Sequence, residues 1–126
     1  MYSRRPEHEA ESVYELFVRG SALLRDGHPH QAAMLLSRAK LLEPEKGSIR
    51  EALGRALFMS GRVRRARREF AKAVQLDPAN DYAHFALGLA CERTGERGRA
   101  LGHLRLAVAL RPGVGDYEAA LARLAR

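Results

Sequence analysis

The sequence predicts an all-α solenoid, in which three antiparallel helix pairs stack in a row and one further helix follows them. Three prolines, Pro44, Pro78 and Pro112, stand 34 residues apart. Further columns of small and apolar residues keep the same period: Gly20, Gly54 and Gly88; Gly27, Gly61 and Gly95; Ala32, Ala66 and Ala100; Ala39, Ala73 and Ala107; Leu42, Leu76 and Leu110. Such a period identifies one supersecondary unit used three times, and units of this kind bury a continuous core by stacking.

Each unit contains two helices separated by a breaker. In the second unit, residues 48–60 carry apolar side chains at helical spacing, and Gly61 follows as a residue that ends a helix at little cost. Residues 63–76 form the second helix, which Asp77 and Pro78 end because proline cannot continue the backbone ladder. The period then divides the chain into a polar arm at 1–12 and a domain at 13–126, with repeats at 13–46, 47–80 and 81–114.

Gly54 lies inside the first helix of its unit, where glycine costs about 1 kcal/mol relative to alanine. Its recurrence as Gly20 and Gly88 indicates a structural gain that offsets this cost. We expect that gain to be a close approach of the paired helix through Ala66 and Ala73.

After Pro112 the chain begins a fourth unit at residues 115–126 and contains only its first helix, predicted over 118–125. Tyr117, Leu121 and Leu124 share one side of this segment. We expect a capping helix that covers the last apolar face of the solenoid, and a seam for dimerisation is the alternative.

Bulk properties are those of a single domain of 126 residues with 46% hydrophobic residues. Residues 1–11 are polar, and no apolar run is long enough for a secretory signal or a membrane span. We therefore expect a cytoplasmic protein that does not associate with a membrane. Cys91 is the only cysteine, which excludes an intrachain disulfide, and its place on an inner helical stripe predicts a small core residue.

Catalytic chemistry is not indicated. The pair His28 and His30 resembles a fragment of a metal site, but no cysteine or carboxylate cluster stands beside it. The segment 95–98 lacks the lysine and the preceding strand of a phosphate-binding loop. The sequence predicts a protein that is not an enzyme and that has no metal and no cofactor.

The repeated residues resemble the tetratricopeptide repeat, a helix–turn–helix unit of 34 residues with tryptophan, leucine–glycine, tyrosine, alanine, phenylalanine and proline at set positions. The second unit matches at Leu53, Gly54, Leu57, Ala66, Phe70, Ala73 and Pro78, and the resemblance extends over about residues 13–126. Some positions depart from this pattern. Arg50 and His84 replace the tryptophan, Leu23, Leu57 and Cys91 replace the tyrosine, and Arg19 replaces the leucine of the first unit. The resemblance implies a right-handed superhelix whose first helices line a concave groove for a partner protein or peptide.

The same resemblance implies the residues that face this groove: Tyr14, Phe17, Ser21, Leu24, Ser48, Glu51, Arg55, Phe58, Tyr82, Phe85, Leu89 and Glu92, with Asp116 and Arg123 at its border. Exposed aromatic rings contribute large contact areas at low entropic cost, and packing between neighbouring helices is their alternative role. The family's clamp for acidic chaperone C-termini would fall on Phe17, Ser21, Ala52, Tyr82 and Ala86. These residues cannot form that clamp, so we expect an apolar or aromatic peptide.

A basic face is predicted on the second helix of the middle unit, formed by Arg62, Arg64, Arg65, Arg68 and Lys72. An acidic partner or a phosphate backbone would suit it, whereas a solvated arginine face is the simpler interpretation in a chain of net charge +7. No aromatic residue interleaves the run, so a nucleic-acid partner is not favoured. Self-assembly into a homo-oligomer is a further alternative.

Overall fold

The structure is a computed structural model that describes residues 11–126, and over that range its regular secondary structure consists of α-helices. They are α1 Val13–Arg25, α2 Pro29–Leu42, α3 Gly47–Met59, α4 Val63–Leu76, α5 Asp81–Arg93, α6 Arg97–Leu110 and α7 Gly115–Ala125. Consecutive helices pack against each other, so α1–α2, α3–α4 and α5–α6 form antiparallel pairs, and each pair packs on the next. The predicted all-α, right-handed superhelical solenoid is confirmed.

Helix boundaries repeat with the sequence. The first helix of each unit begins at Val13, Gly47, Asp81 or Gly115, which are 34 residues apart. The final helix begins three residues earlier than the predicted Glu118, because the Val114 carbonyl already accepts hydrogen bonds from the Tyr117 and Glu118 amides.

Glycine in the left-handed conformation ends each of the first three odd-numbered helices. Gly27, Gly61 and Gly95 have φ of 85°, 85° and 83°. In the middle unit the amide of Arg62 donates to the Leu57 carbonyl at 2.8 Å, and the amide of Gly61 donates to Phe58 at 3.1 Å. This is the Schellman arrangement, which satisfies carbonyls that the helix leaves unpaired.

The mid-helix glycines make room for a large side chain of the paired helix. A Cβ at Gly54 would lie 2.6 Å from Cε1 of Phe70, and a Cβ at Gly20 would lie 2.7 Å from Cγ of Leu36. A Cβ at Gly88 would similarly lie 2.9 Å from Cγ of Leu104. The expected close approach of the paired helix is therefore present, and Ala100, in the column of Ala66, brings its carbonyl oxygen within 3.2 Å of that Cβ at Gly88. The nearest atoms, however, belong to the bulky side chains one turn away from the alanines.

The core runs through all three pairs and ends beneath α7. Leu53, Leu57 and Leu87 are almost fully buried, as is Cys91, whose thiol pKa is raised by burial. The prediction that Cys91 is a core residue is confirmed. At the C-terminal end Tyr117 and Ala120 are buried, because α7 packs against α6 and covers the third pair.

The first helices of neighbouring units also contact each other directly: α1 touches α3, and α3 touches α5. Their free faces therefore form one continuous side of the stack. Among residues 11–126, no helix combines the length and the apolar character that a membrane crossing needs.

Candidate functional site

The groove residues implied by the resemblance mostly lie, half-buried or exposed, on α1, α3 and α5. Half-buried are Phe17, Ser21, Glu51, Phe58, Tyr82, Phe85, Leu89 and Glu92, and exposed are Tyr14, Ser48 and Arg55. Leu24 is the exception, because its side chain is only 4% exposed and packs in the core cluster with Ala32 and Leu57. The placement of Leu24 in the groove is therefore wrong.

The aromatic side chains divide into three local groups. Tyr14 and Phe17 line a pocket of about 290 Å³ beside the start of α3. Phe58 and Tyr82 share a second pocket, between α3 and α5. The ring of Phe85 lies 4.7 Å from that of Tyr117 and 6.1 Å from that of Tyr82, measured between centroids. Phe85 thus packs against the capping helix, while Phe58 and Tyr82 border a cavity.

The pocket between α3 and α5 has a volume of about 190 Å³. Its lining is largely apolar and consists of Arg55, Phe58, Met59, Phe70, Tyr82, Ala86 and Leu89. Sequence reasoning missed Met59, Phe70 and Ala86 as lining residues. Ala86 lies in the column of Val18 and Ala52, and this short side chain opens the space between the two helices.

Two arginines stand over the aromatic rings of this pocket. The guanidinium carbon of Arg55 lies 5.9 Å from the Tyr82 ring centroid, and that of Arg93 lies 5.2 Å from the Phe58 ring centroid. Both separations fall within the range of cation–π attraction. Burial raises the pKa of Tyr82, although the nearby Arg55 opposes the shift, so the phenol is neutral at physiological pH. Arg55 belongs to the lining of the pocket, whereas Arg93 lies outside that lining and borders a separate depression beside the start of α4.

The acidic residues of the groove bond to other partners. Glu51 accepts a hydrogen bond from the Asn80 amide at 2.8 Å. Glu92 accepts from Nη2 of Arg123 at 3.0 Å, and this bonding holds the pKa of the Glu92 carboxyl below its usual value. Because Arg123 belongs to α7, the Glu92–Arg123 pair joins the capping helix to α5.

In the second and third repeats, the position of the family's tryptophan holds a polar residue that pairs with a polar residue of the following helix. Nε of Arg50 donates to the Pro44 carbonyl at 2.8 Å, and Nε2 of His84 lies 2.8 Å from the Pro78 carbonyl. Arg50 also pairs with Glu69 at 3.0 Å, whereas His84 Nδ1 lies 3.1 Å from Nδ1 of His103. The two residues of each pair are 19 apart in the sequence, and this shared spacing is the signal from which sequence reasoning could have found the pairs.

The pair His28 and His30 is the fragment of a metal site considered from the sequence. His30 contacts Arg62, with 3.2 Å between Nδ1 and Nη2, rather than a carboxylate or a cysteine. Within residues 11–126, no three histidine, cysteine or acidic side chains come together as metal ligands would.

The predicted basic face is present on α4, with one difference. Arg62, Arg64, Arg65 and Arg68 are exposed. Lys72 is half-buried, and its Nζ lies 3.5 Å from a carboxylate oxygen of Glu45. The lysine charge is thus compensated, and the four arginines form the exposed part of the face.

The stack of antiparallel helix pairs defines the class of superhelical solenoids. A model of the tetratricopeptide repeat family matches residues 17–80 and 52–115, and the chain belongs to that family. A search of curated proteins finds no match.

Solved structures share the fold at low sequence identity. MamA has a TM-score of 0.88 and 21% identity, over 94% of this chain and 69% of its own. The first repeat domain of Spaghetti (RPAP3), bound to the HSP90 peptide SRMEEVD, has a TM-score of 0.86 and 16% identity, over 90% of each chain. The Yersinia enterocolitica type III secretion chaperone SycD, in complex with a peptide of the translocator YopD, has a TM-score of 0.77 and 16% identity, over 94% of this chain and 91% of its own.

Proposed function

We propose that this protein is a non-enzymatic interaction module that holds a segment of another protein along the inner faces of α1, α3 and α5. The observation that carries the proposal is the pocket between α3 and α5, where Phe58 and Tyr82 are only partly buried. Two proteins of the same fold, the Spaghetti domain and SycD, were solved with bound peptides, which supports a binding role for this kind of groove.

The mode of binding differs from a clamp of lysine, asparagine and arginine on a terminal carboxylate. Two of the corresponding positions, Ala52 and Ala86, are alanines with 6% and 5% exposure. Contact area from aromatic and aliphatic side chains would instead provide most of the affinity.

Affinity capture with matched variants tests this proposal. The immobilised protein, the groove variant Phe58→Ala/Tyr82→Ala and the control variant Met34→Ala/Leu41→Ala are compared by mass spectrometry of the proteins retained from a lysate of the source cells. Met34 and Leu41 are exposed apolar residues on α2, with 68% and 78% exposure. We expect a partner that the control retains and the groove variant loses, with both variants equally helical. A partner lost equally from both variants, or from neither, would refute the groove.

A second candidate function is binding of an acidic partner on the arginine face. It is favoured because Arg64, Arg65 and Arg68 are exposed and form no ion pair with another residue of the range 11–126. A partner retained by the groove variant but lost on Arg64→Glu/Arg65→Glu/Arg68→Glu, with affinity falling steeply as salt rises, would establish this function.

A further inference from the structure

We infer that the pocket between α3 and α5 selects a segment that inserts one apolar side chain and places a carboxylate beside it, against Arg55. This inference rests on the proposed function, because it specifies the chemistry of the segment that the groove holds.

The size of the pocket sets the apolar part of the ligand. Its volume is about 190 Å³, and an apolar cavity of about 150 Å³ is enough to admit a benzene molecule. Phe58, Met59 and Leu89 supply side walls, and the buried ring of Phe70 lies at the base. The pocket therefore has room for one leucine, methionine or phenylalanine side chain, and not for a folded element.

The charge in the lining sets the polar part. Arg55 is exposed, and its guanidinium carbon lies 5.9 Å from the Tyr82 ring centroid. Arg55 forms no ion pair within residues 11–126, since the carboxylate of Glu51 bonds to Asn80. A guanidinium carries several N–H donors in a planar fork, so Arg55 can bind an acceptor that lies beside Tyr82.

A carboxylate is the partner that best compensates this arrangement. An uncharged segment entering the pocket would remove water from the Arg55 guanidinium without replacing its hydrogen bonds, which is unfavourable. A basic segment would add repulsion to that loss. A carboxylate forms charge-assisted hydrogen bonds with the guanidinium, and two parallel bonds also fix its orientation.

Selection from a random peptide library tests the inference. Phage-displayed peptides are selected on the wild-type protein and counter-selected on Phe58→Ala/Tyr82→Ala. We expect the recovered peptides to share an apolar residue adjacent to aspartate or glutamate. For the most enriched peptide, we expect Arg55→Gln to weaken binding about ten-fold, as the loss of one charge-assisted hydrogen bond implies. The control Arg105→Gln, at an exposed position on α6, should change affinity less than about two-fold.

The other outcomes separate the two proposals. Groove-dependent peptides that lack acidic residues, or that bind Arg55→Gln unchanged, would overturn this inference and leave the proposed function in place. Recovery of no groove-dependent peptide would overturn both. Self-association that light scattering detects in the wild type, and that Phe58→Ala/Tyr82→Ala abolishes, would make a second copy of this chain the occupant and would also overturn the inference.

Discussion

Arg50 donates a hydrogen bond to Glu69 at 3.0 Å inside the second repeat, where the third repeat has His84 against His103. Glu69 is only 6% exposed, and Lys40 of the preceding repeat contacts its second oxygen at 2.8 Å. One carboxylate thus compensates two cations from different repeats. The same two positions in the first repeat hold Leu16 and Leu35, which pack together in an apolar cluster. This location between the two helices of a repeat thus holds an apolar pair in the first repeat, an ionic pair in the second and an aromatic pair in the third.

Replacing Glu69 with glutamine should therefore destabilise the protein. The change leaves the largely buried Arg50 and the partly buried Lys40 without their counter-ion. We expect a loss of about 3 kcal/mol in the free energy of unfolding, because breaking one side of a buried pair leaves an uncompensated charge. Urea denaturation followed by circular dichroism measures this loss.

The control for this prediction is Glu45→Gln. Glu45 pairs with Lys72 at 3.5 Å, but its side chain is 71% exposed, so the change should cost less than about 0.5 kcal/mol. Equal losses of unfolding free energy in the two variants would show that the buried pair contributes no more to stability than the exposed pair.

Gly54→Ala should destabilise the protein although alanine is the better helix former. The new Cβ would lie 2.6 Å from Cε1 and 2.7 Å from Cδ1 of Phe70, whose side chain is only 2% exposed. Overpacking costs about 1–3 kcal/mol and exceeds the gain of about 1 kcal/mol in helix propensity. Gly102→Ala is the matched control, because a Cβ there meets no atom within 4 Å. Thermal unfolding should show a lower midpoint for Gly54→Ala and a raised one for Gly102→Ala; a shift of the same sign in both would contradict the packing argument.

Stability should decrease as the pH falls through about 6.5, the pKa of an unperturbed histidine. Burial lowers the pKa of His103, and the neighbouring His84 and Arg99 lower it further. In the neutral pair, His84 donates from Nε2 to the Pro78 carbonyl and accepts at Nδ1 from Nδ1 of His103. The unfolded chain binds a proton at His103 before the folded chain does, which favours unfolding as the pH falls below about 6.5.

Urea denaturation at pH 7.5 and pH 5.5 checks this dependence. His103→Gln should reduce the difference between the two pH values, whereas His28→Gln, at an exposed position before α2, should not. An unchanged difference in His103→Gln would assign the pH dependence to other groups.

Tyr117 should be the last tyrosine to ionise. Burial and the hydrogen bond that its hydroxyl donates to Asp81 at 2.6 Å raise its pKa to about 12. Because the folded pKa lies above the unfolded value of about 10, the associated stability is present below pH 10 and is lost as the pH rises towards 12. Tyr117→Phe should lower the free energy of unfolding by about 1 kcal/mol. It should also remove the ionisation step at the highest pH from an ultraviolet titration of the tyrosines. Tyr14→Phe, at a position with 75% exposure, should do neither.

The repeat itself was predictable because its signals are local. Gly61 and Pro78 act on the backbone within a few residues, and helical periodicity appears within one segment, so the bounds of α4 at Val63 and Leu76 matched the structure. Residues 34 apart occupy equivalent positions on parallel helices, so most of the side chains expected in the groove lie half-buried or exposed on α1, α3 and α5. Leu24 failed because its burial depends on how α2 and α3 close over the end of α1.

The class of fold and the number of helix pairs follow from the sequence alone, because capping and periodicity are properties of single helices. The packing of the helices against one another decides that Phe70 fills the space at Gly54, that Arg93 stands over Phe58, and that His84 meets His103. Each of these contacts joins side chains of different helices. Their existence depends on the angle and the distance at which the helices pack, and no single helix encodes those quantities.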